Sequence, residues 1–170
     1  VGRRAGCEQV HKALAALTAA SPSAVVLQCD CSNAFNTMPR QMIMDAVVAR
    51  LPALAPVVNS WLTKTTTHLF WGEGQEGKPI KATKGVDQGC PLSPALFAIG
   101  LADPLERIRS RLANLSVDCK VFSYLDDVMV VAPSSCAEQA MQVVCEELQQ
   151  AGLKVNASKT AAWTKGPQTQ

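Results

Sequence analysis

The sequence lacks the features of membrane-spanning and secreted proteins. No apolar run approaches the roughly 18 residues that a membrane span needs, and the N-terminus has no apolar signal-peptide core. The seven cysteines are scattered without any C-x-x-C pair, a pattern that fits neither a disulfide framework nor a zinc module. We therefore expect reduced thiols in an intracellular protein of the nucleus or cytoplasm, without membrane contact.

Strong net charge is also lacking. The formal charge is only +2, so any binding of nucleic acid must depend on local basic groups. Such groups are ordinarily solvated surface and prove nothing alone. The candidates are Arg3, Arg4 and Lys12; Lys78, Lys81 and Lys84; and Arg107, Arg109 and Arg111.

The chain of 170 residues, with 48% hydrophobic content, can form one compact domain with an apolar core. Mixed helices and hairpins predict an α+β fold with an antiparallel sheet. The predicted helices are 7–20, 39–51, 56–61, 93–112 with Ser93 as N-cap, and one opened by a capping box at Ser135 and Glu138 and stopped by Gly152. The predicted strands are 24–29, 65–71 with 80–83, 119–125 with 128–132, and near 153–155 and 160–163.

Three carboxylates stand out in this pattern. Asp30 closes an apolar strand, and its neighbours Cys29 and Cys31 face the opposite side and pack. Asp126 and Asp127 separate two strongly β-forming runs, which predicts a tight hairpin with both acids at its tip. Taken singly, each is compatible with ordinary turn chemistry. Adjacent carboxylates repel each other beside an apolar core, however, and bound cations relieve that repulsion.

Four segments carry a family resemblance. Residues 124–127 (YLDD) resemble the Y-x-D-D box of reverse transcriptases, and 85–97 (GVDQGCPLSPALF) resemble their Q-G-x-P-L-S-P-x-L-F motif. Residues 30–36 are similar to the D-x-x-x-A-F segment, and 152–160 to the G-L-x-x-N-x-x-K-T segment. Four motifs in the family's order indicate a reverse transcriptase. The Leu-Ser-Pro at 92–94 and the segment 152–160 resemble non-LTR retrotransposon or group II intron enzymes more than retroviral ones, and we favour the non-LTR, LINE-type family.

The resemblance implies an RNA-directed DNA polymerase palm with a ferredoxin-like antiparallel sheet backed by helices. Residues 1–23 would be a remnant of the fingers, 24–165 the palm, and 166–170 a tail. The implied partners are an RNA template, a DNA primer and deoxynucleoside triphosphates. The implied cofactor is a pair of Mg²⁺ ions, for which Mn²⁺ can substitute, supporting transfer of nucleotides onto the primer 3′-hydroxyl.

Family positions assign the metal and nucleotide contacts. Asp30 and Asp126 would be the main metal ligands, Asp127 a weaker one, and the Cys31 backbone carbonyl an additional ligand. The remaining residues would contact the nucleotide: Asn33 and Ala34 through backbone N–H groups on the triphosphate, Phe35 as a steric gate against the 2′-hydroxyl, Gln88 and Gly89 as a loop over the nucleotide, and Lys159 beside the pyrophosphate. Phe35 as a core residue and Lys159 as a surface lysine remain alternatives.

Two further functions are compatible with the same motifs. A degenerate or domesticated fragment would keep the fold as a nucleic-acid-binding or interaction module without activity, and a group II intron maturase would use the same palm. The chain lacks recognisable upstream fingers strands and a thumb after Thr164, so we expect the isolated 170 residues to be inactive or weakly active.

Overall fold

The computed structural model describes residues 4–72 and 77–165, which group into two compact units. The first unit contains the described residues of 1–32 and 101–170, and the second contains those of 33–100. The helices are α1 Gly6–Ala20, α2 Ala34–Thr37, α3 Arg40–Arg50, α4 Ala55–Leu62, α5 Ser93–Leu115 and α6 Ala137–Gln150. The strands are β1 Ala24–Cys29, β2 Thr66–Phe70, β3 Lys78–Ala82, β4 Lys120–Tyr124, β5 Asp127–Pro133 and β6 Ala161–Thr164, with 3₁₀ turns at Pro52–Leu54 and Ser134–Cys136.

The first unit is built on a four-stranded sheet in the order β4-β5-β1-β6, with every neighbouring pair antiparallel. Its central strands carry the core, since Leu27 of β1 and Val128, Val130 and Ala132 of β5 are buried. Helices α1 and α6 pack against β1, and α6 contributes the buried side chain of Leu148 to the core. The predicted α+β fold with an antiparallel sheet is confirmed.

An ion network joins α5 to α6 within the first unit. Glu147 is only 4% exposed, and its carboxylate accepts hydrogen bonds from Arg107 Nε at 2.7 Å and from Arg111 at 3.0 Å. Arg111 also donates to Glu146 at 2.7 Å. The hydrogen bond from Arg107 is the main reason that the pKa of Glu147 lies below its usual range. Arg107 and Arg111 therefore hold helices together, and do not form the free basic patch that their sequence positions suggested.

In the second unit, α2, α3, α4 and the first turns of α5 surround a core that includes Met38, Ile43 and Phe97. Arg40 binds the surrounding backbone: its Nε donates to the carbonyl oxygen of Gly85 at 3.0 Å, and its other nitrogens donate to Lys64 O at 2.7 Å and Thr66 Oγ1 at 3.3 Å. β2 and β3 pair as the predicted hairpin. The middle of its Gly-rich turn lies outside the described residues.

Helices α5 and α6 begin differently from the sequence prediction. The capping box was wrong: Ser135 lies inside the 3₁₀ turn Ser134–Cys136, and Cys136 occupies the N-cap of α6 without a side-chain hydrogen bond. Ser93 is the first residue of α5 and not its N-cap. The predicted long helix itself is confirmed, and it continues through the buried Pro104. None of the described helices combines the length and apolarity that crossing a bilayer requires.

Gly85 fits where no other residue could. Its φ is +66°, and a Cβ there would lie 2.2 Å from the carbonyl oxygen of Phe35. On either side of this contact, Gly85 N–H donates to Met38 O and Val86 N–H donates to Phe35 O, both at 2.8 Å. The segment at 85–86 is thereby fastened to α2 by backbone contacts that need a bare Cα.

We predict that Gly85→Ala lowers the free energy of unfolding by about 3–5 kcal/mol, since the strain of a positive φ and an overpacked contact add. Gly89→Ala is the matched control, because Gly89 also has a positive φ of +97° but no atom of the described residues lies within 4 Å of its missing Cβ. The control should lose only about 1–2 kcal/mol. Urea unfolding measures both values, and equal losses would contradict the role of close packing at Gly85.

Candidate active site

The three aspartates lie at one end of the sheet in the first unit. The pairing of β1 with β5 ends at Cys29 opposite Val128, so Asp30 directly follows β1 where Asp127 begins β5. Tyr124 pairs with Asp127 across the hairpin, which leaves Leu125 and Asp126 as the turn. Asp126 thus lies at the tip as predicted, whereas Asp127 belongs to the strand. The pairing of neighbouring strands brings an aspartate from early in the chain to two from late in it.

The turn residue Leu125 has a positive φ of +56°. Turns of two residues between antiparallel strands favour positive φ, and glycine, asparagine and aspartate usually supply it. A leucine there carries a backbone strain of about 1–2 kcal/mol. The sequence did not reveal this strain, because the predicted turn was Asp126 and Asp127 and left Leu125 in the strand.

Negative charge accumulates around this tip. Burial raises the pKa of Asp127, and repulsion from Asp126 and Asp30 raises it further. Burial likewise raises the pKa of the Cys31 thiol to about 11, with Asp30 and Asp126 adding to the effect. No lysine or arginine of the described residues forms a salt bridge with any of the three aspartates. The site therefore has uncompensated carboxylates in one neighbourhood.

These carboxylates do not form a complete metal cage. Among residues 4–72 and 77–165, no three His, Cys, Asp or Glu side chains converge closely enough to hold an ion by themselves. Mg²⁺ usually keeps several waters and is held by one or two carboxylates together with substrate phosphates. The donor set of Asp30, Asp126 and Asp127 fits a hard cation of that kind, with part of the coordination left to substrate.

Asn156 organises the turn that carries Lys159. Its N–H donates to the carbonyl oxygen of Asp30 at 2.8 Å, and its own carbonyl accepts the N–H groups of Lys159 and Thr160 at 3.1 and 2.9 Å. Its Oδ1 accepts the hydroxyl of Ser158 at 2.7 Å. Lys159 is exposed on this turn. The sequence motif contained Asn156, but only the hydrogen bond to Asp30 indicates that it positions the backbone beside an aspartate.

Asn33, Ala34 and Phe35 lie in the second unit at the start of α2. Asn33 has a left-handed backbone (φ +48°, ψ +39°) and is followed by the helical, buried Ala34. The ring of Phe35 stacks on Phe97, with centroids 4.4 Å apart and an interplanar angle of 11°. Phe97 is fully buried whereas Phe35 is half-buried, so one face of the Phe35 ring is fixed by the core.

Gln88 and Gly89 are exposed in the loop before α5, which also belongs to the second unit. Gly89 has a positive φ of +97°, a backbone conformation that favours glycine. No atom of the described residues lies within 4 Å of its missing Cβ, so close packing is not the reason for the glycine. At the start of the loop, Asp87 Oδ1 lies 3.2 Å from His68 Nε2 of β2. Together with Arg40, whose guanidinium holds Gly85, this contact anchors the loop on its N-terminal side.

Solved structures share the fold. The chain superposes on apo telomerase from Candida tropicalis with a TM-score of 0.71 and 13% identity, covering 94% of this chain and 32% of that one. Telomerase from the same species in complex with a TWJ fragment of telomeric RNA gives a TM-score of 0.67 at 12% identity, covering 95% and 29%. These likenesses show a shared fold, the polymerase palm.

The family model for reverse transcriptase (RNA-dependent DNA polymerase) matches residues 2–169, and the chain belongs to that family. The retrotransposable element SLACS 132 kDa protein of Trypanosoma brucei gambiense is 31% identical over 133 residues, which is 77% of this chain and 11% of the relative. The Pol polyprotein of the type-1 retrotransposable element R2 of Popillia japonica is 26% identical over 144 residues, or 81% and 24%. The resemblance to a non-LTR reverse transcriptase is confirmed, and the chain spans a quarter or less of these relatives.

We predict that Leu125→Gly raises the free energy of unfolding by about 1 kcal/mol relative to Leu125→Ala, because glycine relieves the positive φ that alanine keeps. Comparing the two variants with each other removes the effect of losing the leucine side chain. Urea unfolding of both proteins measures the difference. A glycine variant less stable than the alanine variant would show that the tip carries no strain.

Proposed function

We propose that this domain catalyses RNA-directed DNA synthesis, adding deoxynucleotides to a primer 3′-hydroxyl on an RNA template. The observation that supports it best is the junction of β1 with the β4–β5 turn, where Asp30, Asp126 and Asp127 share one end of the sheet. Membership of the reverse transcriptase family gives that arrangement its reaction class.

Asp30 and Asp126 would hold divalent cations, with Asp127 as a weaker contributor and the Cys31 carbonyl as a further oxygen. When bound, Mg²⁺ or Mn²⁺ would activate the 3′-hydroxyl and stabilise the leaving pyrophosphate. The chain contributes preorganisation: the β1–β5 ladder fixes the two ligand-bearing backbones before any cation arrives. The mutual repulsion that raises the Asp127 pKa would be relieved by bound cations.

Residues of the second unit would select and hold the nucleotide. The left-handed backbone at Asn33 followed by helical Ala34 resembles the alternation found in anion-binding nests, which suits a triphosphate. Phe35, with one ring face fixed on Phe97, would exclude a 2′-hydroxyl. Gln88 and Gly89 would cover the nucleotide, and Lys159 of the first unit would neutralise charge or protonate pyrophosphate.

We predict that Asp30→Asn and Asp126→Asn each reduce primer extension at least about 100-fold in the full-length protein, because each removes a charge that stabilises the transition state through bound metal. Asp127→Asn should reduce it less. Extension of a DNA primer on an RNA template measures the rate, and Mn²⁺ titration calorimetry on the 170-residue chain measures cation binding separately.

Asp118→Asn is the matched control for these variants, since Asp118 is exposed at the opposite end of the β4–β5 hairpin. It should leave both extension and Mn²⁺ binding unchanged. Near wild-type turnover of Asp126→Asn with Mg²⁺ would overturn the assignment of this residue.

We predict that Phe35→Val raises the incorporation of ribonucleotides relative to deoxyribonucleotides, because the smaller side chain leaves room for a 2′-hydroxyl. The ratio of kcat/KM for the two nucleotides measures the effect in the full-length protein. Phe97→Leu is the comparison variant: it keeps the Phe35 ring but removes its stacking partner, so the loss of sugar discrimination should be smaller than in Phe35→Val. Unchanged sugar discrimination in Phe35→Val would return Phe35 to the role of a core residue.

A further inference from the structure

Two cysteines meet at the open end of the β4–β5 hairpin. Cys119 directly precedes β4 and Cys136 closes the 3₁₀ turn that follows β5. Their sulfur atoms are 3.8 Å apart, in van der Waals contact. The opposite end of the same hairpin carries Asp126. None of the function proposed above uses this thiol pair.

The backbone holds both thiols in place. Cys119 N–H donates to Ser116 O at 3.1 Å, and the next residue, Lys120, pairs with Val131 in the ladder. On the other side, the Cys136 thiol donates to Pro133 O at 3.6 Å, and Ser134 N–H is bonded to Ser23 O at 3.1 Å. The sulfur contact therefore results from the strand register and the turn, so the folded backbone already holds the two thiols side by side.

The two thiols differ in access to solvent. Cys119 is only 8% exposed, and burial is the main cause that raises the pKa of its thiol to about 11. Cys136 is half-buried. An oxidant from solvent therefore reaches Cys136 first, and Cys119 lies behind it as the second thiol of the pair.

We propose that Cys119 and Cys136 form a redox-responsive pair that closes to a disulfide on exposure to hydrogen peroxide. The Cys136 sulfur attacks one peroxide oxygen, the O–O bond breaks, and a sulfenic acid and one water result. The Cys119 sulfur then attacks the sulfenic sulfur, an S–S bond forms, and the hydroxyl leaves with the Cys119 proton as a second water. Both sulfurs are oxidised and both peroxide oxygens are reduced.

The bond would tie the two ends of the hairpin that bears Asp126 and Asp127. Because a disulfide constrains the unfolded chain, the oxidised protein should be more resistant to unfolding than the reduced one. The register of β4 against β5 would also become covalently locked. Neither effect depends on the proposed polymerase activity, so the pair can be tested on the 170-residue chain.

Tryptic mapping after peroxide treatment tests the bond directly. Cleavage after Lys120 places Cys119 on a peptide of residues 112–120 and Cys136 on one of residues 121–154. We expect a linked species of these two peptides, lighter than their sum by two hydrogens and absent after reduction with dithiothreitol. Residues 121–154 also contain Cys145, so the mapping is repeated in Cys145→Ser, where the linked species should persist.

Single-thiol variants and stability complete the test. Cys119→Ser and Cys136→Ser should each eliminate the linked species and the peroxide-induced rise in thermal midpoint, whereas Cys90→Ser should keep both. Treated wild-type chain in which both thiols remain free to alkylation, or in which Cys136 proceeds to sulfinic acid without linking, would overturn the proposal. The wild-type mapping decides the question even if a serine variant fails to fold.

Discussion

The antiparallel pairing of β1 with β5 is the constraint on which the candidate site depends. It is the central ladder of the four-stranded sheet, and it buries Leu27 and Cys29 on one strand and Val128 and Val130 on the other. Burial on both strands specifies the register, because a slip of one residue would turn the apolar side chains away from the core. The same register places Asp30 beside the start of β5, so the site depends on core packing.

The tip that carries the aspartates is unfavourable by itself. Leu125 has a positive φ, and Asp30, Asp126 and Asp127 bring like charges together where burial already raises the pKa of Asp127. Such local costs persist only where the surrounding structure enforces them. Here the ladders on both sides of β5 hold the tip in place, and the proposed binding of cations would relieve the repulsion.

Arg40 and Asn156 each place a backbone segment that carries proposed site residues. Arg40 donates to carbonyl oxygens of Gly85, Leu62 and Lys64, and so holds the loop that leads to Gln88. Asn156 connects the turn of Lys159 to the backbone of Asp30. Arg40 was not singled out from the sequence, and Asn156 entered only as part of a motif, because a hydrogen bond to a distant carbonyl oxygen leaves no local pattern. The ion pairs of Arg107 and Arg111 could not be foreseen for the same reason, since their partner Glu147 lies far along the chain.

The sequence by itself determined where the main strands and the long helix form, and which residue type stands at each motif position. Alternating and helical apolar patterns predicted β1, β4, β5 and α5 closely, because those patterns depend on neighbours in the chain. Motif residues also identified the family. The tertiary structure decided what contacts between distant residues control: which strand lies beside Asp30, that Asp127 enters the ladder while Asp126 stays in the turn, and that Gly85 must lack a side chain. It also brought Cys119 to Cys136, since a pattern of scattered cysteines holds no information on which sulfur atoms meet.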